Sequence, residues 1–285
     1  MKEFKGRVAV VTGAASGIGR GLADRFAAEG MKVVIADVEQ GALDAAEREM
    51  TAGGATVLAV RTDVSKQANV QALAEATMER FRSVHIVCNN AGVGGGGPQA
   101  SWESPLVDWE WVLGVNLWGV IHGVRAFVPL MLKRGDEGHV VNTASVAGLI
   151  AGAGGPAYTT SKFGVVGYSE ALHHELAMAS GGKVKVSVLC PALTNTRIIE
   201  SGRNHPKGPP PEPAAGTQER MMLDMIKGIF AGGMAPSETA AIVLDAIVNE
   251  RFYVLTHPEH NAQIEARVKA VVSGGTPPTL MPGSG

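Results

Sequence analysis

Tyr158 and Lys162 stand four residues apart, a spacing that puts two side chains on one face of a helix. A tyrosine hydroxyl titrates near about 10 when unperturbed, too high for efficient acid/base work at neutral pH. A neighbouring ammonium favours the phenolate and lowers that value. Ser145, just past an apolar run, is placed to hold a substrate oxygen and stabilise developing negative charge. By itself Tyr-x-x-x-Lys is an ordinary surface pair, so its meaning depends on the rest of the chain.

A second group of residues supplies that context. Thr12-Gly13-Ala14-Ala15-Ser16-Gly17-Ile18-Gly19 follows a first apolar run and opens an amphipathic stretch. Glycines there let the backbone turn sharply and approach a pyrophosphate, while the helix N-terminus offers free N–H groups and a favourable dipole. Gly13, Ser16, Gly17, Ile18 and Gly19 are therefore predicted to hold a dinucleotide. Asp37 ends the second run, where a carboxylate accepts hydrogen bonds from adenosine ribose hydroxyls and repels a 2′-phosphate. That predicts NAD over NADP; the bland alternative is a strand-end turn residue. Arg20, the one basic residue nearby, is expected to point along its helix into solvent. Asp63 is predicted to bond adenine with Val64 packed beside it, although N-capping the next helix competes for that carboxylate. Asn90, Ala91 and Gly92 end a fourth run, where small and amide side chains let the backbone pass close to a ribose. With a nicotinamide in place, Lys162 could bond its ribose, and the ring's positive charge would add to the pull on Tyr158.

The elements that must position these residues follow from hydrophobic pattern. Val8–Thr12, Lys32–Asp37, Thr56–Arg61, Val84–Asn89, His139–Thr143 and Lys185–Cys190 read as strands. They are continuous apolar runs, as expected when helices cover both faces of a sheet. Gly17–Glu29, Gln40–Ala52, Gln67–Phe81, Trp109–Arg134 and Tyr158–Ser180 read as helices. The alternation predicts an α/β fold, a single doubly wound parallel sheet of Rossmann type with helices on both faces. Ligands in such folds sit outside the carboxyl ends of the strands. One domain is expected over 1–273. Its rhythm breaks in a substrate-side excursion at 196–233, with a proline-rich run Pro206–Pro213 and a short amphipathic helix around Met221–Phe230. A helix Ser237–Asn249, a strand Tyr253–Thr256 and a helix from about Asn261 to Val272 follow. The glycine- and proline-rich tail 274–285 is expected to be disordered.

A net charge of −2 gives no sign of a nucleic-acid or anionic-membrane partner. No uninterrupted apolar run approaches the roughly 20 residues of a membrane span. The short lead into the first strand leaves no room for a signal peptide, which predicts a cytoplasmic protein. Cys88 and Cys190 are read as buried thiols rather than a disulfide, and no metal site is legible. Gly94–Gly97 reads as a flexible loop beside the cofactor. Trp102, Trp109, Trp111 and Trp118 cluster around the long central helix and are read as substrate contacts. Met221, Met222, Met225 and Met234 are read as an apolar lid or core filling. His173 and His174 are read as packing or solvent residues.

The order Thr12–Gly19, Asp63, Asn89–Gly92, Asn116, Ser145, Tyr158, Lys162 and Pro191 resembles the short-chain dehydrogenase/reductase family, in its main single-domain group, over about Gly6–Thr256. The resemblance implies that Tyr158 is the general acid/base, that Lys162 binds ribose and lowers its pKa, and that Ser145 positions substrate. It implies that Asn116 holds a water linking the lysine to solvent, and that Thr196, near Pro191 and Leu193, binds the carboxamide. It also implies a homotetramer or homodimer, with Trp102, Trp109, Trp111 and Trp118 as subunit-interface residues, the alternative to substrate contact. One departure stands out: the family has Pro-Gly after the sixth strand, and here it is Pro191-Ala192. Thr196–Asn204 and Tyr253–His257 more weakly resemble bacterial enzymes oxidising benzylic alcohols of lignin-type aryl ethers. The expected reaction is hydride transfer between NAD and a secondary alcohol/ketone pair. A catalytically silent NAD-binding scaffold or sensor is the alternative, disfavoured because all four catalytic positions are filled. A nucleotide-sugar epimerase would need more chain after Pro191.

Overall fold

The computed structural model describes residues 1–95, 100–152 and 155–278. Its strands are β1 (Val8–Thr12), β2 (Lys32–Asp37), β3 (Val57–Arg61), β4 (Ile86–Asn89), β5 (Gly138–Thr143), β6 (Val184–Cys190) and β7 (Tyr253–Leu255). They form one sheet in the order β3-β2-β1-β4-β5-β6-β7, every neighbouring pair parallel. All five residues of β1 are buried, which is why its run reads as continuously apolar. β4 starts two residues later than the sequence predicts. The His85 ring accepts the Val8 N–H at 3.0 Å, so parallel pairing begins only at Ala9 and Ile86.

One face of the sheet is covered by α1 (Gly17–Ala28), α2 (Gln40–Ala52) and α8 (Pro236–Val248), whose Leu22, Phe26, Leu43 and Ile247 are fully buried. The other is covered by α3 (Gln67–Phe81), α5 (Gly119–Arg134) and α6 (Pro156–Ser180), through Leu73, Phe127 and Leu172. The free cysteines are both buried, and they lie on strands separated by β5.

The predicted helix Trp109–Arg134 starts earlier and is not uniform. It comprises α4 (Leu106–Leu113), a π-helical turn at Gly114–Trp118, and α5. Leu106–Arg134 is long and apolar enough to cross a membrane, a property that Asp108, Glu110 and Arg125 obscure in the sequence. Half of it is buried within the fold, against α3 and α6.

Gly123 of α5 lies against Asn89, and a Cβ there would fall 1.8 Å from Asn89 Oδ1. Asn89 donates to Asn142 Oδ1 at 2.9 Å, and Asn142 donates to Ser169 Oγ at 3.0 Å, so one buried chain ties β4 and β5 to α6. Gly123→Ala should therefore both overpack this contact and break the chain. A loss of at least about 2 kcal/mol in urea unfolding is expected, with the m-value unchanged.

The excursion leaves and returns at one point. Thr194 bridges Met234, with Asn195 N–H on Met234 O at 2.9 Å and Met234 N–H on Leu193 O at 3.0 Å. Between them lie a 3₁₀ helix, Ile198–Asn204, and α7 (Gln218–Ala231). Met221, Met222 and Met225 are exposed on α7, which excludes the core-filling reading for them. After β7, α9 (Asn261–Ser273) ends at Gly274 in the left-handed region. The start of the tail is largely exposed; Gly275 N–H bonds Ala270 O at 2.8 Å at the end of α9, and Pro277 and Pro278 border a small cavity with Phe163 and Arg267. The remainder, 279–285, lies outside the described residues, as do Gly96 and Gly97.

Candidate active site

β1 has β2 on one side and β4 on the other, so the chain's winding reverses between β1 and β4 and the strand ends diverge there. A cavity of about 940 Å³ opens at that place. Its walls include Gly13, Ser16, Gly17, Ile18, Asp37, Asp63, Val64, Asn90, Ala91, Gly92, Ser145, Tyr158, Lys162, Pro191, Leu193 and Thr196. The structure thus brings to one cavity residues spread over seven segments of chain. Of the expected site residues, Gly19 and Asn116 stand behind this wall.

The glycine loop is shaped by close approach. Gly13 has φ +65°, and a Cβ on it would sit 2.8 Å from Ala91 Cα. Gly17 has φ +55° and faces Thr196, while a Cβ on Gly19 would lie 2.1 Å from Gly13 O. Ser16 starts α1 without capping it through its side chain, so the first-turn N–H groups face the cavity unengaged by that hydroxyl. A cradle that glycine alone can line, at an open helix N-terminus, fits a pyrophosphate.

Asp37 fastens this loop to β2. Its Oδ2 accepts Ala15 N–H at 3.1 Å and its Oδ1 accepts Glu39 N–H at 3.1 Å. Burial pushes its carboxyl above the usual range, partly offset by those backbone bonds. Arg20 does not run free into solvent: it bonds Asp24 at 2.9 Å and Glu49 at 2.9 Å, facing α2 and away from the cavity. Asp63 is not an N-cap, a position that Lys66 takes. Its Oδ1 accepts Ser65 N–H at 3.0 Å and Ser65 O–H at 2.7 Å, which holds the β3 end in a local turn.

Thr12 ties β1 to β4, its hydroxyl accepting Asn90 N–H at 2.9 Å and Ala91 N–H at 3.1 Å. Asn90 Nδ2 donates back to Thr12 O at 3.0 Å, and its Oδ1 accepts from Thr143 Oγ at 3.3 Å. The Pro191-Ala192 turn needs no glycine, because among the described non-glycine residues only Arg82 and Glu250 take positive φ.

At the inner end, Ser145 Oγ accepts Ala147 N–H at 3.1 Å and donates to Pro191 O at 3.3 Å, and it lines the cavity together with Tyr158. The buried Lys162 ammonium lies 5.5 Å from the centre of the Tyr158 ring and donates to Thr143 O at 3.0 Å. Burial lowers its pKa to about 8. Burial also raises the Tyr158 phenol, against the weaker pull of the Ser145 hydroxyl. The expected lowering by Lys162 is therefore not delivered by the chain alone: desolvation outweighs an ammonium turned toward Thr143 O.

Asn116 sits in the π-helical turn, fully buried. Its Oδ1 accepts Val93 N–H at 2.8 Å, and its Nδ2 donates to Val93 O at 3.0 Å and Ser161 Oγ at 3.1 Å. The side chain clamps the loop after β4 to the helix carrying Tyr158. π turns gather at functional sites, and here the backbone distortion places that clamp.

Several wall residues escaped sequence reading: Val93, Trp111, Ile198, Ser201, Arg203, Asn204 and Phe230. Trp111 was legible only as one of four tryptophans; of the others, Trp102 and Trp118 are exposed. His173 packs on Phe252, away from the cavity. No cluster of three metal-ligating side chains occurs among the described residues.

The model of the short chain dehydrogenase family matches residues 7–207. Among solved structures, a short-chain dehydrogenase/reductase from Burkholderia phymatum in complex with NAD is 44% identical, with a TM-score of 0.91 over 99% of this chain and 100% of that one. A "CLA biosynthesis dehydrogenase/reductase" of Lactiplantibacillus plantarum is 35% identical over 280 residues, 97% of each protein. A "C alpha-dehydrogenase" of Sphingobium sp. is 29% identical over 278 residues, covering 97% of this chain and 89% of that protein. With its switch-point cavity, glycine cradle and Ser145–Tyr158–Lys162 cluster, the chain belongs to the short-chain dehydrogenase family of oxidoreductases.

Proposed function

We propose that the chain is an NAD-dependent oxidoreductase interconverting a secondary alcohol and a ketone, with Tyr158 as general acid/base. The observation that carries this reading is one continuous cavity: a glycine cradle and Asp37 at one end, Ser145, Tyr158 and Lys162 at the other. Gly13, Ser16, Gly17, Ile18 and Gly19 would hold the pyrophosphate, Asp37 the adenosine ribose, and Asp63 and Val64 the adenine. Asn90, Ala91, Gly92, Lys162, Pro191, Leu193 and Thr196 would hold the nicotinamide half. Bound there, NAD supplies the hydride acceptor and a positive charge next to the phenol. Ser145 and Tyr158 orient the alcohol oxygen; Tyr158 takes its proton during oxidation and returns it during reduction. Lys162 favours the phenolate electrostatically, and Asn116 keeps the loop after β4 in place behind it.

NAD is preferred because Asp37 puts a carboxylate at the adenosine end while Arg20 is already paired with Asp24 and Glu49, and Arg203 with Glu39. The NAD complex of the Burkholderia relative agrees with this. The substrate end, walled by Trp111, Ile198 and Phe230, suits a bulky apolar alcohol. Together with the name of the Sphingobium relative, it favours benzylic or alicyclic secondary alcohols. Exposed Leu106 and Trp118 on the long helix suit a homodimer or homotetramer, and buried free thiols suit the cytoplasm. Turnover of a panel of aryl and alicyclic secondary alcohols, followed at the NADH absorbance, tests the reading. At least about tenfold higher kcat/KM with NAD than with NADP is expected, some 1.4 kcal/mol of discrimination. Tight NAD binding without turnover of any alcohol would favour the silent scaffold instead.

A further inference from the structure

The excursion is fastened across the cavity at three places. Gly94 N–H donates to the buried Ser201 Oγ at 2.9 Å. His205 Nδ1 accepts Lys207 N–H at 3.2 Å, which leaves Nε2–H to donate to Asp108 of α4 at 3.1 Å. The third fastening lies at the adenosine end. There Glu39 Oε1 accepts from Arg203 Nη2 at 2.6 Å, Arg203 Nε at 2.8 Å and Asn204 Nδ2 at 2.8 Å.

That third contact has unusual reach. One carboxylate oxygen takes three donors from residues 164 and 165 positions further along the chain. Glu39 and Arg203 keep only 26% and 29% of their side-chain surface exposed, so solvent screens the pair incompletely. Glu39 N–H also bonds Asp37 Oδ1, so the anchor is joined directly to the carboxylate read as the ribose ligand. A short 3₁₀ helix has poor internal hydrogen bonding. Its anchors, rather than its own propensity, therefore decide where Ile198–Asn204 sits. Glu39, Arg203, Asn204, Ile198 and Asp37 all line the same cavity.

We propose that Glu39, Arg203 and Asn204 are positioning residues, a clasp that closes the substrate-side excursion over the adenosine end of the dinucleotide site. This rests on the dinucleotide reading above. The segment that shapes the substrate wall through Ile198 is then the one that retains the cofactor. Cofactor exchange requires the clasp to open, and a well-formed substrate end requires it to be shut.

Stopped-flow fluorescence of bound NADH tests this in wild type, Glu39→Gln, Arg203→Met and the double variant. Each single change should raise the NADH dissociation rate roughly fivefold to tenfold, the range of a partly screened, charge-assisted contact. The double variant should be no faster than either single one, because both remove the same contact. Arg203→Lys should recover part of the loss. Added salt should speed release from wild type more than from the variants. In turnover, the KM for the alcohol should rise while kcat holds or increases. Faster release in Glu39→Gln with Arg203→Met unchanged would overturn the clasp and make Glu39 a direct adenosine ligand. Additive effects, or wild-type rates in both single variants, would overturn it as well. Failure of the wild-type chain to bind either NADH or NADPH would instead overturn the dinucleotide reading, and the clasp with it.

Discussion

Tyr158→Phe should lower kcat by about 10²–10⁴, the contribution of a positioned general acid/base, while NADH binds within about twofold of wild type. The ring that supports the Lys162 contact is kept, and only the hydroxyl is lost. The residual rate should also lose its dependence on the phenol's titration, leaving a flat alkaline limb. Burial raises the Tyr158 pKa in the protein alone. In the wild type, alcohol oxidation should therefore climb with pH until the phenolate is populated, whereas ketone reduction, which needs the phenol protonated, should decline. Single-turnover kinetics at saturating NAD and fluorescence titration with NADH would check both halves. A variant that retains activity within tenfold would remove Tyr158 from the proton step.

Lys162→Met should have opposite effects on function and stability. Lys162 is buried, and burial pushes its ammonium down to about 8 from the ordinary lysine value of 10.5. The unfolded chain therefore binds the proton more tightly than the folded one. The cost to the fold is fully present below pH 8 and is relieved as pH rises from 8 to 10.5. At neutral pH that cost is about 3 kcal/mol. Methionine avoids it and fills similar volume, at the loss of the bond to Thr143 O, worth about 1 kcal/mol. The variant should unfold at higher urea concentration at pH 7, by about 1–3 kcal/mol, and the gap should narrow at pH 10. Its turnover should fall by about 10²–10⁴, with weaker NADH binding from the lost ribose contact. Equal stability at both pH values would mean that the ammonium is not paying a burial cost.

The strand–helix alternation was legible because each core strand is buried on both faces, so β2, α2 and α3 are found where their apolar patterns put them. The glycine positions were legible for a related reason: close backbone approaches forbid a Cβ, and that leaves a mark in composition. Tertiary competition was not legible. His85 takes a backbone N–H from β1 and delays the ladder, and Asn116 distorts its helix by bonding a loop 23 residues away. The upward push of burial on Tyr158 in the protein alone was not legible either, since burial is set by the whole fold and not by the neighbour four residues on. Glu39 and Arg203 carry no sequence signal of each other across 164 residues. Their meeting depends on how the excursion lies across the cavity.

The doorway formed by Thr194 and Met234 has a bearing on how such proteins diversify. Because the excursion departs and rejoins at adjacent backbone positions, its length can change while its two ends stay fixed. Doubling a flexible loop with pinned ends costs only about 0.6 kcal/mol, and none of β1–β6 has to move. That separates a segment free to vary in length from the framework that carries Ser145, Tyr158 and Lys162. A transplanted excursion would need a matching doorway, partners for Gly94, Asp108 and Glu39, and a residue to stand in for Thr196, to fit the same cofactor floor to a differently shaped alcohol.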